Sequence, residues 1–173
     1  FASILYGYAL SVATRESCKV EIALGVHSGD HEIYPDCRPE FYHAIEHAFA
    51  IGNWGSENVS FTLPYLDGDK ASILADAQKA ITQLKLDFNR VFANTNTSYN
   101  PDTEGRSSGE SGADIERILA FHSLGLADPV EYQTTWDEVL KNALEVEMKH
   151  KDEEYRQRLT EEQYLVTRQS GTE

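Results

Sequence analysis

Between His27 and Phe41 the chain gathers two imidazoles (His27, His31), two aspartates (Asp30, Asp36), a phenol (Tyr34), a thiol (Cys37) and a guanidinium (Arg38), with Pro35 and Pro39 fixing the backbone around them. Asp30 and Asp36 offer oxygen ligands of the kind Mg²⁺ takes. Arg38 carries a planar fork that matches a carboxylate or a phosphate, and His27 or His31 can move a proton near neutral pH. A capped strand-to-helix turn with incidental polar groups would use the same residue types, so residue type alone leaves both readings open.

The elements that must position these groups read as an α/β domain. Residues 1–16 carry a helical stripe of Ile4, Leu5, Tyr8, Ala9, Val12 and Ala13. Val20, Ile22, Leu24 and Val26 alternate as a strand, and His27 to Asp36 form a polar loop at its carboxyl end, where α/β sheets bind ligands. A helix over 38–51 turns Phe41, Ala44, Ile45, Ala48 and Phe49 inward, and a second strand runs from Val59 to Leu63. After the Asp67-Gly68-Asp69 turn, Ile73, Leu74, Ala77, Ala80, Ile81 and Leu84 mark another helix, and Val91 to Ala93 reads as a short last strand. A Ser/Gly/Asn-rich loop over 94–112 precedes a helix with Ile115, Ile118 and Leu119 inward. Strands alternating with helices predict a parallel sheet. Trp136, Val139, Leu140, Ala143 and Val146 then start a helix whose continuation, 147–158, is charged enough to be solvated helix or linker.

Three further patterns carry less chemistry. His43, Glu46 and His47 spell H-x-x-E-H, but on the wheel they lie opposite the expected apolar stripe and read as facing solvent or a partner surface. His122 sits in an apolar stripe and reads as a core histidine. The segment Ser107-Ser108-Gly109-Glu110-Ser111-Gly112 has the glycines of a phosphate loop without its Gly-Lys-Ser/Thr ending; Asp114 and Glu116 instead suit the positive end of the helix that follows.

The chain has 173 residues and a net charge of −14, a surface that repels phosphate backbones, so direct nucleic-acid binding is not expected. No apolar run approaches the length of a membrane span. Cys18 and Cys37 supply no disulfide framework, and a reducing cytoplasm is the default. Phe1 is not a natural start, so an N-terminal part is expected to be missing, leaving apolar edges that favour a partner such as a second copy.

Several blocks resemble the 7-cyano-7-deazaguanine synthases, the ATP-using enzymes that make the nitrile precursor of queuosine. They are Gly25-Val26-His27-Ser28-Gly29-Asp30-His31, Tyr34 to Phe41, Leu63-Pro64 with Lys70, Thr97-Ser98-Tyr99, Ile115-Glu116-Arg117 with Ala120-Phe121, and Asp128 to Tyr132. The resemblance covers residues 1–133 and corresponds to the C-terminal part of such an enzyme. It implies a partial Rossmann-like sheet of the ATP-pyrophosphatase type followed by a helical tail. The implied activity is that of a carbon–nitrogen ligase. ATP adenylates the carboxylate of 7-carboxy-7-deazaguanine, ammonia displaces AMP to give an amide, and renewed activation with loss of oxygen gives the nitrile. Site residues implied are His27, Asp30, His31, Tyr34, Asp36, Cys37, Arg38 and Lys70, with ATP and Mg²⁺ as cofactors.

Two departures limit what is implied. The family's Ser-Gly-Gly-x-Asp-Ser loop for ATP does not occur in these 173 residues, so this polypeptide by itself is expected to be inactive. The family's four zinc-binding cysteines are matched here by Ser98, Ser108, Ser111 and Asp114, so no zinc is expected, and hydrogen bonds with Asp114 capping are expected to tie the loop instead. Residues 134–158 read as a charged helix or linker, and 159–173 resemble the opening of a B-type methionine sulfoxide reductase, the whole being a fusion fragment. Alternatives are a non-catalytic binding or dimerisation module that keeps the fold, and an N-terminal extension of such a reductase.

Overall fold

In a computed structural model the described residues are 1–27, 29–30 and 34–168. They divide into two compact units, Phe1–Ile73 and Leu74–Glu173. The elements in chain order are α1 (Ala2–Glu16), β1 (Val20–Ala23), α2 (Pro39–Gly52), β2 (Val59–Thr62), α3 (Lys70–Gln83), α4 (Phe88–Ala93), α5 (Gly112–Ser123), α6 (Trp136–Arg158) and α7 (Glu161–Arg168), with short 3-10 turns at Pro35–Cys37 and Ser56–Asn58. None of these helices is long and apolar enough to cross a membrane.

In the first unit β1 and β2 pair in parallel, Val20 opposite Val59 and Ala23 opposite Thr62. A parallel pair needs a crossover, and α2 supplies it, giving the β-α-β element of a partial Rossmann-like sheet. The burial alternation expected over 20–26 is present, with Ile22 and Val26 buried and Glu21 and Ala23 exposed, but the paired strand is shorter than expected and ends at Ala23.

The buried face of α1 keeps Ala9 and Ala13 of the expected stripe but takes Tyr6 in place of Ile4, Leu5 and Tyr8. Tyr6, Ala9 and Ala13 face the strands, joined by the partly buried Leu10, while Ile4, Leu5 and Tyr8 are exposed. Two alanines let the helix approach the sheet closely, and Tyr6 fills the remaining space with its ring. That ring stacks on Phe49 at 4.1 Å, and its hydroxyl donates to the carbonyl oxygens of Ser56 (3.2 Å) and Val59 (3.3 Å). Burial, with Glu46 and Glu57 nearby, raises the Tyr6 pKa and keeps the donor in place.

On α2 the inward face is Tyr42, Ile45, Glu46 and Phe49, and Phe41, Ala44 and Ala48 are exposed. Glu46 therefore does not face solvent. Its Oε1 accepts the Phe61 N–H of β2 at 2.6 Å, a charge-assisted bond from helix to sheet edge. His43 and His47 are exposed, whereas Tyr42 is buried and Glu46 half-buried.

In the second unit Val91 to Ala93 belongs to the short helix α4, not to a strand. Asp87 accepts the Arg90 N–H at 2.7 Å and so caps a turn that a three-residue apolar run did not reveal. Leu84 is exposed beyond the end of α3. The core joins Ile118 of α5 to Val139 and Ala143 of α6, with Ile115, Leu119, Trp136 and Leu140 around it. His122 is exposed, because the buried face of α5 runs through Asp114, Arg117, Ile118 and Phe121 and leaves position 122 outside it. Residues 136–158 form one helix, opened by a capping box between Thr135 and Glu138. Tyr164 of α7 is tied back to Asp152 and Arg156 of α6.

If Tyr6 rather than Ile4 or Tyr8 anchors α1, Tyr6→Ala lowers the unfolding free energy by about 3–5 kcal/mol. Tyr6→Phe costs roughly 1 kcal/mol for the lost hydrogen bonds, and Ile4→Ala changes it by less than about 0.5 kcal/mol. Urea unfolding of the three variants measures this order; a larger effect at Ile4 than at Tyr6 refutes the assignment of the face.

Candidate functional site

Parallel strands leave a sheet at the same edge, so the connections after β1 and β2 emerge together. The first carries Gly25, Val26 and His27; the second runs through Leu63 and Pro64 to Lys70, the first residue of α3. The two meet side chain to side chain, Lys70 Nζ lying 2.9 Å from His27 Nε2. His27 is only 4% exposed. Asp30 Oδ2 is 3.3 Å from the same ring nitrogen and also accepts the His27 backbone N–H at 3.4 Å. On the other side of the ring, Gly29 N–H donates to Nδ1 at 3.1 Å. That bond uses Nδ1 as an acceptor, while Nε2 faces both the Lys70 ammonium, toward which it can only accept, and the Asp30 carboxylate, toward which it can only donate. The result is a fixed imidazole bracketed by one carboxylate and one ammonium.

The rest of the loop is more open. The expected polar loop contains helical backbone: Asp30 N–H bonds to His27 O, and Tyr34 N–H to Asp30 O at 2.8 Å. Pro35–Cys37 forms a 3-10 turn with Tyr34 before it and Arg38 after it, and Arg38 is in turn the N-cap of α2 with Pro39 at the first helical position. Tyr34, Asp36 and Arg38 are exposed, Cys37 is half-buried, and His31 lies outside the described residues. Burial, reinforced by Asp30 and Asp36, pushes the Cys37 thiol above its ordinary pKa, so it is held as a thiol and not primed as a nucleophile. Burial likewise raises the pKa of Tyr42, with the negative charges of Cys37 and Asp36 adding to the effect. Sequence reasoning passed over Tyr42; its signal was an aromatic with a polar tip one position from Phe41.

The second unit brings together the positions matched to the family's zinc cysteines. Ser98 Oγ and Ser108 Oγ both donate to Asp114 Oδ2, at 3.0 and 3.1 Å, and Ser111 Oγ accepts the Asp114 N–H at 3.1 Å. This donor set, neutral hydroxyls around one carboxylate, does not fit Zn²⁺, which takes thiolate and imidazole ligands. Among the described residues no group of three His, Cys, Asp or Glu side chains is gathered to hold a metal.

Nearby, Arg117 is buried and forks onto Asp128 with Nε at 2.5 Å and Nη2 at 2.9 Å, while Nη1 donates to Thr95 at 2.8 Å. Tyr132 also donates to Asp128, at 2.9 Å, and burial together with that carboxylate raises its pKa strongly. Sequence reasoning gave this network no role. An arginine on the same helical face as Ile118 and Phe121 was the available sign, because a charge on an apolar stripe requires a partner.

The sequence profile of the queuosine biosynthesis protein QueC family matches residues 2–125. Among curated relatives, the chain is 36% identical over 133 residues to the 7-cyano-7-deazaguanine synthase of Psychromonas ingrahamii, covering 77% of this chain and 52% of the relative. It is 40% identical over 131 residues to the enzyme of that name from a Marinomonas species, with 76% and 52% covered. The Rhizobium etli enzyme of that name is 36% identical over 132 residues, with 76% and 51% covered. The chain thus spans about half the length of the curated relatives it matches. No solved structure gives a significant match.

The two thiols offer a direct check on the electrostatics of the loop. Iodoacetamide at neutral pH modifies exposed Cys18 first, and Cys37 reacts only as the pH rises past the ordinary thiol range, since its neutral form is favoured in the fold. Peptide mass mapping across pH measures both rates; a Cys37 that alkylates faster than Cys18 near neutral pH contradicts the described environment.

Proposed function

The chain belongs to the queuosine biosynthesis protein QueC family, and on that basis we propose that it carries the substrate-side half of a site converting 7-carboxy-7-deazaguanine and ammonia to 7-cyano-7-deazaguanine at the expense of ATP. The observation that carries this reading is the junction of His27, Asp30 and Lys70 at the carboxyl edge of β1 and β2, next to the turn bearing Asp36 and Arg38. A chain of net charge −14 needs local cations to hold an anionic carboxylate, and this edge supplies Lys70 and Arg38. Arg38 can grip carboxylate or phosphate oxygens through its fork. Lys70 balances charge that develops on the substrate carboxylate as its oxygen is activated. His27, held at Nδ1 by the Gly29 N–H, orients Lys70 and can pass a proton at Nε2, with Asp30 beside the ring. Asp36 is exposed and suited to the N–H groups of a guanine-like base or to Mg²⁺ arriving with the nucleotide.

ATP would supply the leaving group that makes a carboxylate reactive toward ammonia. The Ser-Gly-Gly-x-Asp-Ser block for it is not among these residues, so we assign turnover to a polypeptide carrying that block together with this half. The reading includes a cytoplasmic setting, supported by the two free cysteines.

The test is product formation. With the ATP-loop half of a relative joined to this chain, ATP, ammonia and 7-carboxy-7-deazaguanine give the nitrile, detected by mass spectrometry. Asp36→Ala or Arg38→Ala lowers kcat/KM by a factor of about 100 or more, as loss of a charge-stabilising contact does. Undiminished turnover in both variants removes this turn from the site.

A further inference from the structure

The connection over 94–112 must be held at the start of α5, and the family resemblance implies zinc on four cysteines for that task. We propose that in this protein Ser98, Ser108, Ser111 and Asp114 form a metal-free hydrogen-bonded staple that ties the connection to α5 and makes the fold of this unit independent of zinc supply and of thiol oxidation. The proposal is separate from the catalytic reading of the first unit and stands or falls without it.

Asp114 is fully buried, at 0% exposure. A buried carboxylate is tolerated only if its oxygens are satisfied, and here they are. Oδ2 accepts from Ser98 and Ser108, and Oδ1 lies 3.5 Å from the Thr97 hydroxyl. Asp114 is the third residue of α5, where unpaired backbone N–H groups give a positive environment for an anion. The hydroxyls are committed as well. Ser98 Oγ accepts the Ser108 N–H at 3.3 Å, Ser108 Oγ accepts the Glu110 N–H at 3.2 Å, and Ser111 Oγ caps the helix through the Asp114 N–H. Among the described residues no buried side-chain nitrogen or oxygen lacks a partner. The hydroxyl protons of Ser98 and Ser108 thus occupy the direction in which a cation would have to approach the carboxylate.

The chain between these serines is packed to match. Gly109 has φ +76°, and a Cβ there would meet Val139 Cγ1 of α6 at 2.6 Å, so only glycine lets the loop lie against α6. Ser107 continues the attachment, with its N–H on Glu131 O (3.0 Å) and its carbonyl accepting Gln133 N–H (2.9 Å). The staple therefore closes a loop whose backbone is already seated. Replacing four thiolates and one Zn²⁺ by three hydroxyls and one carboxylate leaves one buried negative charge, hydrogen-bonded and placed at a helix N-terminus.

The full chain, purified without chelator, is expected to contain no stoichiometric zinc by elemental analysis and to melt at the same temperature with and without EDTA or hydrogen peroxide. Asp114→Asn, which replaces the acceptor Oδ2 or Oδ1 with a donor, lowers the melting temperature by roughly 5 °C, and Ser98→Ala lowers it less. The reciprocal variant, with Ser98, Ser108, Ser111 and Asp114 all changed to Cys, binds one equivalent of Zn²⁺ and becomes sensitive to EDTA. One tightly held zinc per native chain with a chelator-dependent melt overturns the proposal, as does a native melt unchanged by both Asp114→Asn and Ser98→Ala. Should Asp114→Asn fail to fold, the Ser98→Ala shift and the native metal content still decide.

Discussion

The first unit depends on one constraint, the parallel register of Val20–Ala23 on Val59–Thr62. Antiparallel pairing would send the two following connections to opposite edges, and His27 and Lys70 could not meet. Parallel pairing in turn requires a crossover, which α2 provides while also fastening itself to β2 through Glu46 and the Phe61 N–H. The same helix begins at Arg38, so its N-terminus places the Tyr34 to Arg38 turn beside the edge. Tyr6 holds the arrangement from α1 by stacking on Phe49 and bonding to the backbone at both ends of the turn that leads into β2. Sheet, crossover and site are consequences of one pairing.

The second unit is organised by buried charge. Asp114 and Asp128 are enclosed, and each is matched by a different means. Asp128 is met by a guanidinium and a phenol, Asp114 by hydroxyls and the start of a helix. A buried ion pair contributes little net stability but is strongly destabilising when one partner is removed, and a buried carboxylate held by hydroxyls likewise depends on its donors, so each carboxylate requires the loops that carry its partners to stay in place. Here those loops are 94–112, held by Asp114, and the segment around 128–133, held by Arg117 and Ser107.

Much of this was legible in the sequence where a periodic pattern or a turn residue acts locally. The alternation of Val20, Ile22, Leu24 and Val26, the strand at Val59, and the apolar face of α6 with Val139 and Ala143 all follow from period alone. The faces of α1 and α2 were read in part: Ala9, Ala13, Ile45 and Phe49 lie inward as expected, while Ile4, Leu5, Tyr8, Phe41, Ala44 and Ala48 are exposed. Alanines at 9 and 13 are buried since they allow close approach, while Ile4 and Leu5 are not, and Glu46 is turned inward because a backbone N–H needs an acceptor. Val91 to Ala93 became helix because the Asp87 cap outweighs a short apolar run. The candidate site was named residue by residue from the Tyr34 to Phe41 block, but the pairing of His27 with Lys70 joins positions far apart in sequence, and only the strand register brings them together. The matching of Ser98, Ser108, Ser111 and Asp114 by spacing, and hydrogen bonds in place of zinc, were visible beforehand; which hydroxyl meets which atom of Asp114 was not.

The central claim is that the edge beyond β1 and β2 holds the substrate, and calorimetric titration of 7-carboxy-7-deazaguanine into the native chain and its Lys70→Met variant tests it most directly. The account predicts saturable one-to-one binding by the native chain, weakened at least about tenfold by Lys70→Met, the loss of roughly 1.4 kcal/mol expected for one charge-assisted contact. Equal affinity in the two proteins, or no binding by either, contradicts it.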